Sequence, residues 1–158
     1  MNIRAAKQDD IKGLINLSGE FSRENEWAEH IPIGRIDSHA EAEEWLFGDK
    51  IFKVLVAEDR GSLIGYLGIK KFKEGYEASI LVDSKFRGQG IGKKLTDEIF
   101  KLIPREIEVE AWVADFNKES LKITPKLGFE FKSRFKEKNF IPGREFYVHV
   151  FTRQGGKD

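Results

Sequence analysis

The 158-residue chain has no cysteine, a single methionine and four prolines, and it carries no net charge. Without cysteine it can form neither disulfides nor thiolate metal sites, and no acyl-cysteine intermediate can carry its chemistry. Its 27 basic and 27 acidic residues cancel, so no global field recommends nucleic acid or a membrane surface as partner. No apolar run approaches the roughly 18 residues that mark a membrane span, and the opening MNIRAAKQDD lacks a signal peptide's apolar centre. The histidines at 30, 39 and 149 show no ligand spacing, so no metal is expected. These absences predict one cytoplasmic domain, large enough to bury a real core.

What is present concentrates between positions 83 and 103, which read DSKFRGQGIGKKLTDEIFKLI. Alternation predicts a strand over 77–82, running into a basic turn with glycines at 88, 90 and 92. A helix should follow, because Ile91, Leu95 and Ile99 recur at helical spacing, and Phe100, Leu102 and Ile103 widen the apolar stripe up to Pro104. Strand, glycine-rich turn and helix start in series form an anion seat. The first-turn N–H groups lack partners, the dipole adds partial positive charge, and glycine lets the backbone approach closely. Lys85, Arg87 and Lys93 add cations. The spacing is not a Walker loop, since only Gln89, Gly90 and Ile91 separate Gly88 from Gly92. Nor is it a dinucleotide fingerprint, which would read GxGxxG after the first strand.

Elsewhere the elements alternate. A strand over 2–5 precedes a helix capped by Asp9 or Asp10 that uses Ile11, Leu14, Ile15 and Leu17. Residues 23–36 read as irregular. Ser38 and Glu41 make a capping box for a helix burying Ala42, Trp45 and Leu46. Strands follow over 52–58 and 62–72, then the 77–82 strand and the helix to Pro104. Ile107, Val109, Ala111 and Val113 alternate as the next strand, and Asp115 or Asn117 caps a short helix. Phe129 to Phe135 and then 145–153 give two last strands. The Phe129–Phe135 alternation reads as core and not as a base-stacking platform, so nucleic acid is not expected. The prediction is a single mixed α/β domain over 1–153, with a twisted, mostly antiparallel sheet and helices on both faces. Residues 154–158 should fray. The last strand could pair across a homodimer.

Arg87-Gly88-Gln89-Gly90-Ile91-Gly92 fits Arg-x-x-Gly-x-Gly, which resembles the acyl-CoA pyrophosphate loop of the GNAT (GCN5-related N-acetyltransferase) family. The element order is similar to that family's over nearly the whole chain. The resemblance implies an acetyl-CoA-dependent N-acetyltransferase whose fourth and fifth strands splay apart. It implies that Leu81 and Val82 offer backbone to pantetheine and the acetyl carbonyl. It implies that Arg87, Gly88, Gln89, Gly90, Ile91, Gly92 and Lys93 bind pyrophosphate, and that Asn117 contacts the CoA arm. Leu127-Gly128-Phe129 matches the family's closure of the fourth helix. Two positions depart from ribosomal-protein N-terminal acetyltransferases: the tyrosine seven residues after the asparagine is Thr124 here, and the glutamate five before it is Trp112. Pro125 should also push Thr124 out of helical geometry.

For a base, the remaining candidates are Glu77, close to the glutamate position of histone-acetyltransferase relatives, and Glu110, Glu29 and His30. Tyr76 and Tyr147 are candidate acids. Residues 1–50 hold eleven acids against six bases, which suits a cationic amine acceptor. Deprotonation favours the opposite: a lysine-like amine near pKa 10.4 costs about 4.6 kcal/mol at pH 7, and an α-amine only about 1–1.4. The acceptor stays open between small amines, polyamines and protein α- or ε-amines, with its contacts expected in 22–39 and 139–144. The alternative is an acyl-CoA-binding sensor or regulatory subunit without turnover.

Overall fold

The computed structural model describes residues 1–25, 38–72 and 75–158, with Phe140 described by its backbone alone. The chain forms β1 (Asn2–Ala5), α1 (Ile11–Glu24), α2 (His39–Phe47), β2 (Ile51–Asp59), β3 (Ser62–Phe72), β4 (Gly75–Val82), α3 (Ile91–Phe100), β5 (Glu108–Ala114), α4 (Lys118–Ile123), β6 (Glu130–Ile141) and β7 (Arg144–Gln154). This is the expected order. The strands make one seven-stranded sheet, β1-β2-β3-β4-β5-β7-β6, antiparallel at every junction except β4–β5. No described helix is long and apolar enough to cross a membrane.

Period-two alternation assigns the faces. Leu55, Leu67, Ile69, Val109 and Phe151 point to one side, where Ile91, Leu95, Ile99 and Phe100 of α3 bury their stripe against them. Leu121 and Leu127, in and just after α4, join the same cluster. Val56 and Tyr66 point to the other side, against Ile11, Leu14 and Leu17 of α1 and Ala42 of α2. The Ser38 capping box starts α2 as expected: the Ser38 hydroxyl accepts from Glu41 N–H at 3.2 Å, and the Glu41 carboxylate accepts from Ser38 N–H at 3.1 Å.

Four expectations are corrected. Asp10 stands at the N-cap position of α1, but its side chain does not cap the helix; its carboxylate accepts from Lys7 N–H and from both terminal nitrogens of Arg4, each at 2.8 Å, tying β1 to the start of α1. Thr124 keeps right-handed helical angles (φ −52°, ψ −44°) despite Pro125. The chain accommodates the ring by tightening into a 3₁₀ turn, Thr124–Leu127, with Pro125 near its start, where a missing N–H costs least. The last strand has no free edge, because β7 pairs with β5 on one side and β6 on the other; the open edges belong to β1 and β6.

The C-terminal tail does not fray. Gly155 N–H bonds to Ile107 O, Gly156 N–H to Phe100 O and Lys157 N–H to Ile103 O, at 2.8–2.9 Å. Only glycine fits at 155, since a Cβ there would lie 2.0 Å from Pro104 O. The tail therefore supplies donors to carbonyls left over at the end of α3, as helix ends require.

Candidate active site

β4 ends at Val82, and Asp83 turns the chain by accepting from Lys85 N–H at 2.9 Å. After a 3₁₀ turn (Ser84–Phe86), Gly88 and Gly90 adopt φ of 76° and 80°, which side chains rarely tolerate. A Cβ at either would meet nothing within 4 Å, so the glycines are not there to relieve crowding. They give the loop its curvature and leave its outer surface bare. Gly90 is the N-cap of α3 and offers no side chain to the helix. The first helical N–H with a carbonyl partner is that of Lys94, bonded to Gly90 O at 3.0 Å; those of Ile91, Gly92 and Lys93 precede it. Buried Ile91 and Leu95 hold the helix start rigid. This cradle fits a pyrophosphate through backbone donors and dipole.

Arg87 is committed differently from the expectation of a free phosphate ligand. Its Nε donates to Val82 O at 3.0 Å. One terminal nitrogen lies 3.4 Å from Glu24 of α1 and the other 3.7 Å from Glu119 of α4. The side chain thus ties the end of β4 to both flanking helices. Lys93 pairs with Asp97 one turn along α3. Asn117 caps α4, its Oδ1 accepting from Ser120 N–H at 3.2 Å.

β4 and β5 pair in a ladder only at Tyr76–Val109 and Glu77–Glu110. Beyond that point, Ala78 to Val82 and Ala111 to Ala114 share no ladder, so the two strands part and leave β4 backbone groups facing the gap. The expected splay is present, with Leu81 and Val82 at its wide end beside the glycine loop. Between α1 and this end of β4 lies a shallow groove lined by Leu17, Phe21, Glu24, Leu81, Val82 and Arg87.

Glu77 sits where the strands part. It points to the α1/α2 side, in a row across the sheet with Lys70, Glu110 and Thr152. Phe72 on β3 lies one row to one side of it, and Trp112 on β5 one row to the other. Their rings nevertheless meet edge to face at 5.8 Å, so the pair leans together across the Glu77–Glu110 row. Glu77 Oε1 is sealed from solvent and has no hydrogen-bond partner. Burial pushes its carboxyl up to about 7; Lys70 opposes the shift and Glu110 adds to it. Most strand carboxylates are solvated on both oxygens; here one oxygen is sealed.

The other candidates separate by face. Glu110 lies beside Glu77, and its Oε2 accepts from the Trp112 indole N–H at 2.7 Å. Tyr76 is on the opposite face, packed edge-on against Phe52 at 5.9 Å. Tyr147 also faces away, under Arg134 and Lys136. Thr124 is buried, and its hydroxyl donates to Ser120 O at 2.7 Å. Glu29 and His30 lie outside the described residues. Sequence reasoning missed Phe72, Glu24 and Glu119, whose roles arise from contacts between distant elements and leave no local signal.

Residues 20–129 match the model of the acetyltransferase (GNAT) family. A seven-stranded sheet parted between β4 and β5, with a glycine loop running onto a helix at the opening, is the arrangement this match addresses. The chain belongs to the GNAT family and is an N-acetyltransferase, with acetyl-CoA as its acyl donor. It is similar to the ribosomal-protein-alanine N-acetyltransferase of Brucella melitensis at 25% identity, covering 98% of this chain and 99% of that one, with a TM-score of 0.80. It is similar at 25% identity to a phosphinothricin acetyltransferase of Sinorhizobium meliloti in complex with acetyl-CoA, covering 98% and 88%, with a TM-score of 0.75. The Salmonella typhimurium putative acetyltransferase yncA, solved with acetyl-CoA, shares the fold at 20% identity, 100% and 95% coverage and a TM-score of 0.81. No curated relative matches the sequence.

Proposed function

We propose that this acetyltransferase moves the acetyl group directly to a primary amine in a ternary complex, with Glu77 as general base. The observation that carries the reading is the buried, unpartnered Glu77 Oε1 at the point where β4 and β5 part. Backbone N–H groups of residues 87–93 would hold pyrophosphate, Arg87 would hold the loop in shape, and Leu81 and Val82 would line up the arm, with Asn117 closing it from α4. Acetyl-CoA supplies an activated thioester carbonyl. The amine nitrogen forms the new C–N bond, the C–S bond breaks, and the amine's proton passes to Glu77. A base with a pKa of about 7 is half ionised near neutrality and so is available to take that proton at the pH where it works. Because the Thr124 hydroxyl already donates to Ser120 O, the departing thiolate draws its proton from water.

The test is CoA release with a panel of primary amines. Glu77→Gln should keep CoA affinity and lower kcat about 10²–10⁴-fold; an unchanged kcat would remove Glu77 from the reaction. A second reading, an acyl-CoA sensor without turnover, draws on Trp112 and Thr124 standing where relatives carry acid/base groups. CoA binding with no release across the panel would establish it.

A further inference from the structure

Resting on the amine-transfer reading above, we infer that Glu110 and the Phe72–Trp112 pair select an acceptor with a second cationic group close to the reacting amine. Three observations converge. First, the row Lys70–Glu77–Glu110 places two carboxylates on neighbouring strands, with Lys70 at one end and Lys132, which pairs with Glu108, near the other. Second, the Trp112 N–H holds Glu110 through Oε2 at 2.7 Å, which fixes where that carboxylate sits on the row. Third, Phe72 and Trp112 meet over this row, and Phe135 backs the Trp112 ring at 5.3 Å, so the site has an aromatic wall beside its carboxylates.

The two carboxylates divide the work by their surroundings. Glu77, with one oxygen buried and unpartnered, receives a proton. Glu110, half-buried and held in place by an N–H donor, lies where a second cationic group of the acceptor would sit, a group that a simple monoamine cannot supply. Aromatic faces attract ammonium groups, most strongly once water is excluded. A carboxylate beside such faces therefore favours a cation and penalises an anion. Neighbouring strands lie about 4.8 Å apart, so one short diamine spans both groups.

Three acceptors with a common reacting amine separate the possibilities: 1,4-diaminobutane, 1-aminobutane and 4-aminobutanoate. The diamine should have a kcat/KM at least ten-fold above 1-aminobutane, with 4-aminobutanoate poorest. Glu110→Gln should erase the diamine's advantage by raising its KM about ten-fold. Trp112→Phe, which keeps a ring but loses the N–H, should give a smaller rise in the same direction. CoA affinity by calorimetry verifies that each variant is folded. Equal kcat/KM for diamine and monoamine, or a preference for the amino acid, overturns the inference while leaving amine transfer standing. Failure of all three to release CoA overturns the transfer reading instead. Titration of the CoA complex with diamine and monoamine then decides the acceptor site, and equal affinities overturn it.

Discussion

Glu77 carries a cost that its stability should reveal. A carboxyl whose native pKa lies near 7, above the unfolded value of 4.5, is protonated in the fold while the unfolded chain is already ionised. Stability is then undiminished below about pH 4.5 and declines as pH rises towards 7. Glu77→Gln removes that decline. The variant should match the parent at pH 4.5 and exceed it at pH 8 by roughly 1–3 kcal/mol, read as a Tm several degrees higher. Equal melting curves at pH 8 would mean that the carboxylate is solvated. Arg87 offers a complementary experiment. If its Nε bond to Val82 O positions the loop, Arg87→Lys keeps the charge but loses the role. It should then weaken CoA binding as much as Arg87→Ala does, with a penalty that added salt does not shrink. A lysine variant that restores affinity at low salt would return the side chain to the phosphate.

Among the elements, the glycine loop is the one most open to a single substitution. Gly90→Glu forces a side chain into the left-handed region and sets a carboxylate at the N-terminus of α3, in front of the first-turn N–H groups. CoA affinity should fall below detection in calorimetry while circular dichroism stays native, because no protein atom lies within 4 Å of a Cβ there. Retained affinity would move the pyrophosphate elsewhere. This loop was legible in the sequence because its chemistry is local: strand, glycines and amphipathic stripe follow one another within some 25 positions. The capping box of α2 was legible for the same reason. The Asp10 and tail contacts were not, since they depend on Arg4 and on carbonyls at the end of α3. Pro125 misled because a 3₁₀ turn absorbs a ring that an α-helix cannot.

At the scale of the whole molecule, one topological choice opens the sheet. A single parallel pairing, β4–β5, holds for two residue pairs and then opens. The loop and α3 stand at the wide end, and Glu77 at the narrow end, about 16 Å back along the strand. The helices divide accordingly, with α3 and α4 bracing the donor side and α1 and α2 lying on the face to which Glu77 and Glu110 point. The order of elements announced this architecture. The burial of Glu77 Oε1 was not legible, because Phe72 and Trp112, forty positions apart, meet beside a residue that alternation alone describes as an ordinary strand glutamate.

The most direct measurement is kcat/KM against pH for two primary amines of different basicity, in the parent and in Glu77→Gln. Both amines should show a shared inflection near pH 7, set by the free enzyme's carboxyl and absent from the glutamine variant. Profiles that follow only each amine's own pKa, identical in parent and variant, would contradict Glu77 as the base and leave water in its place.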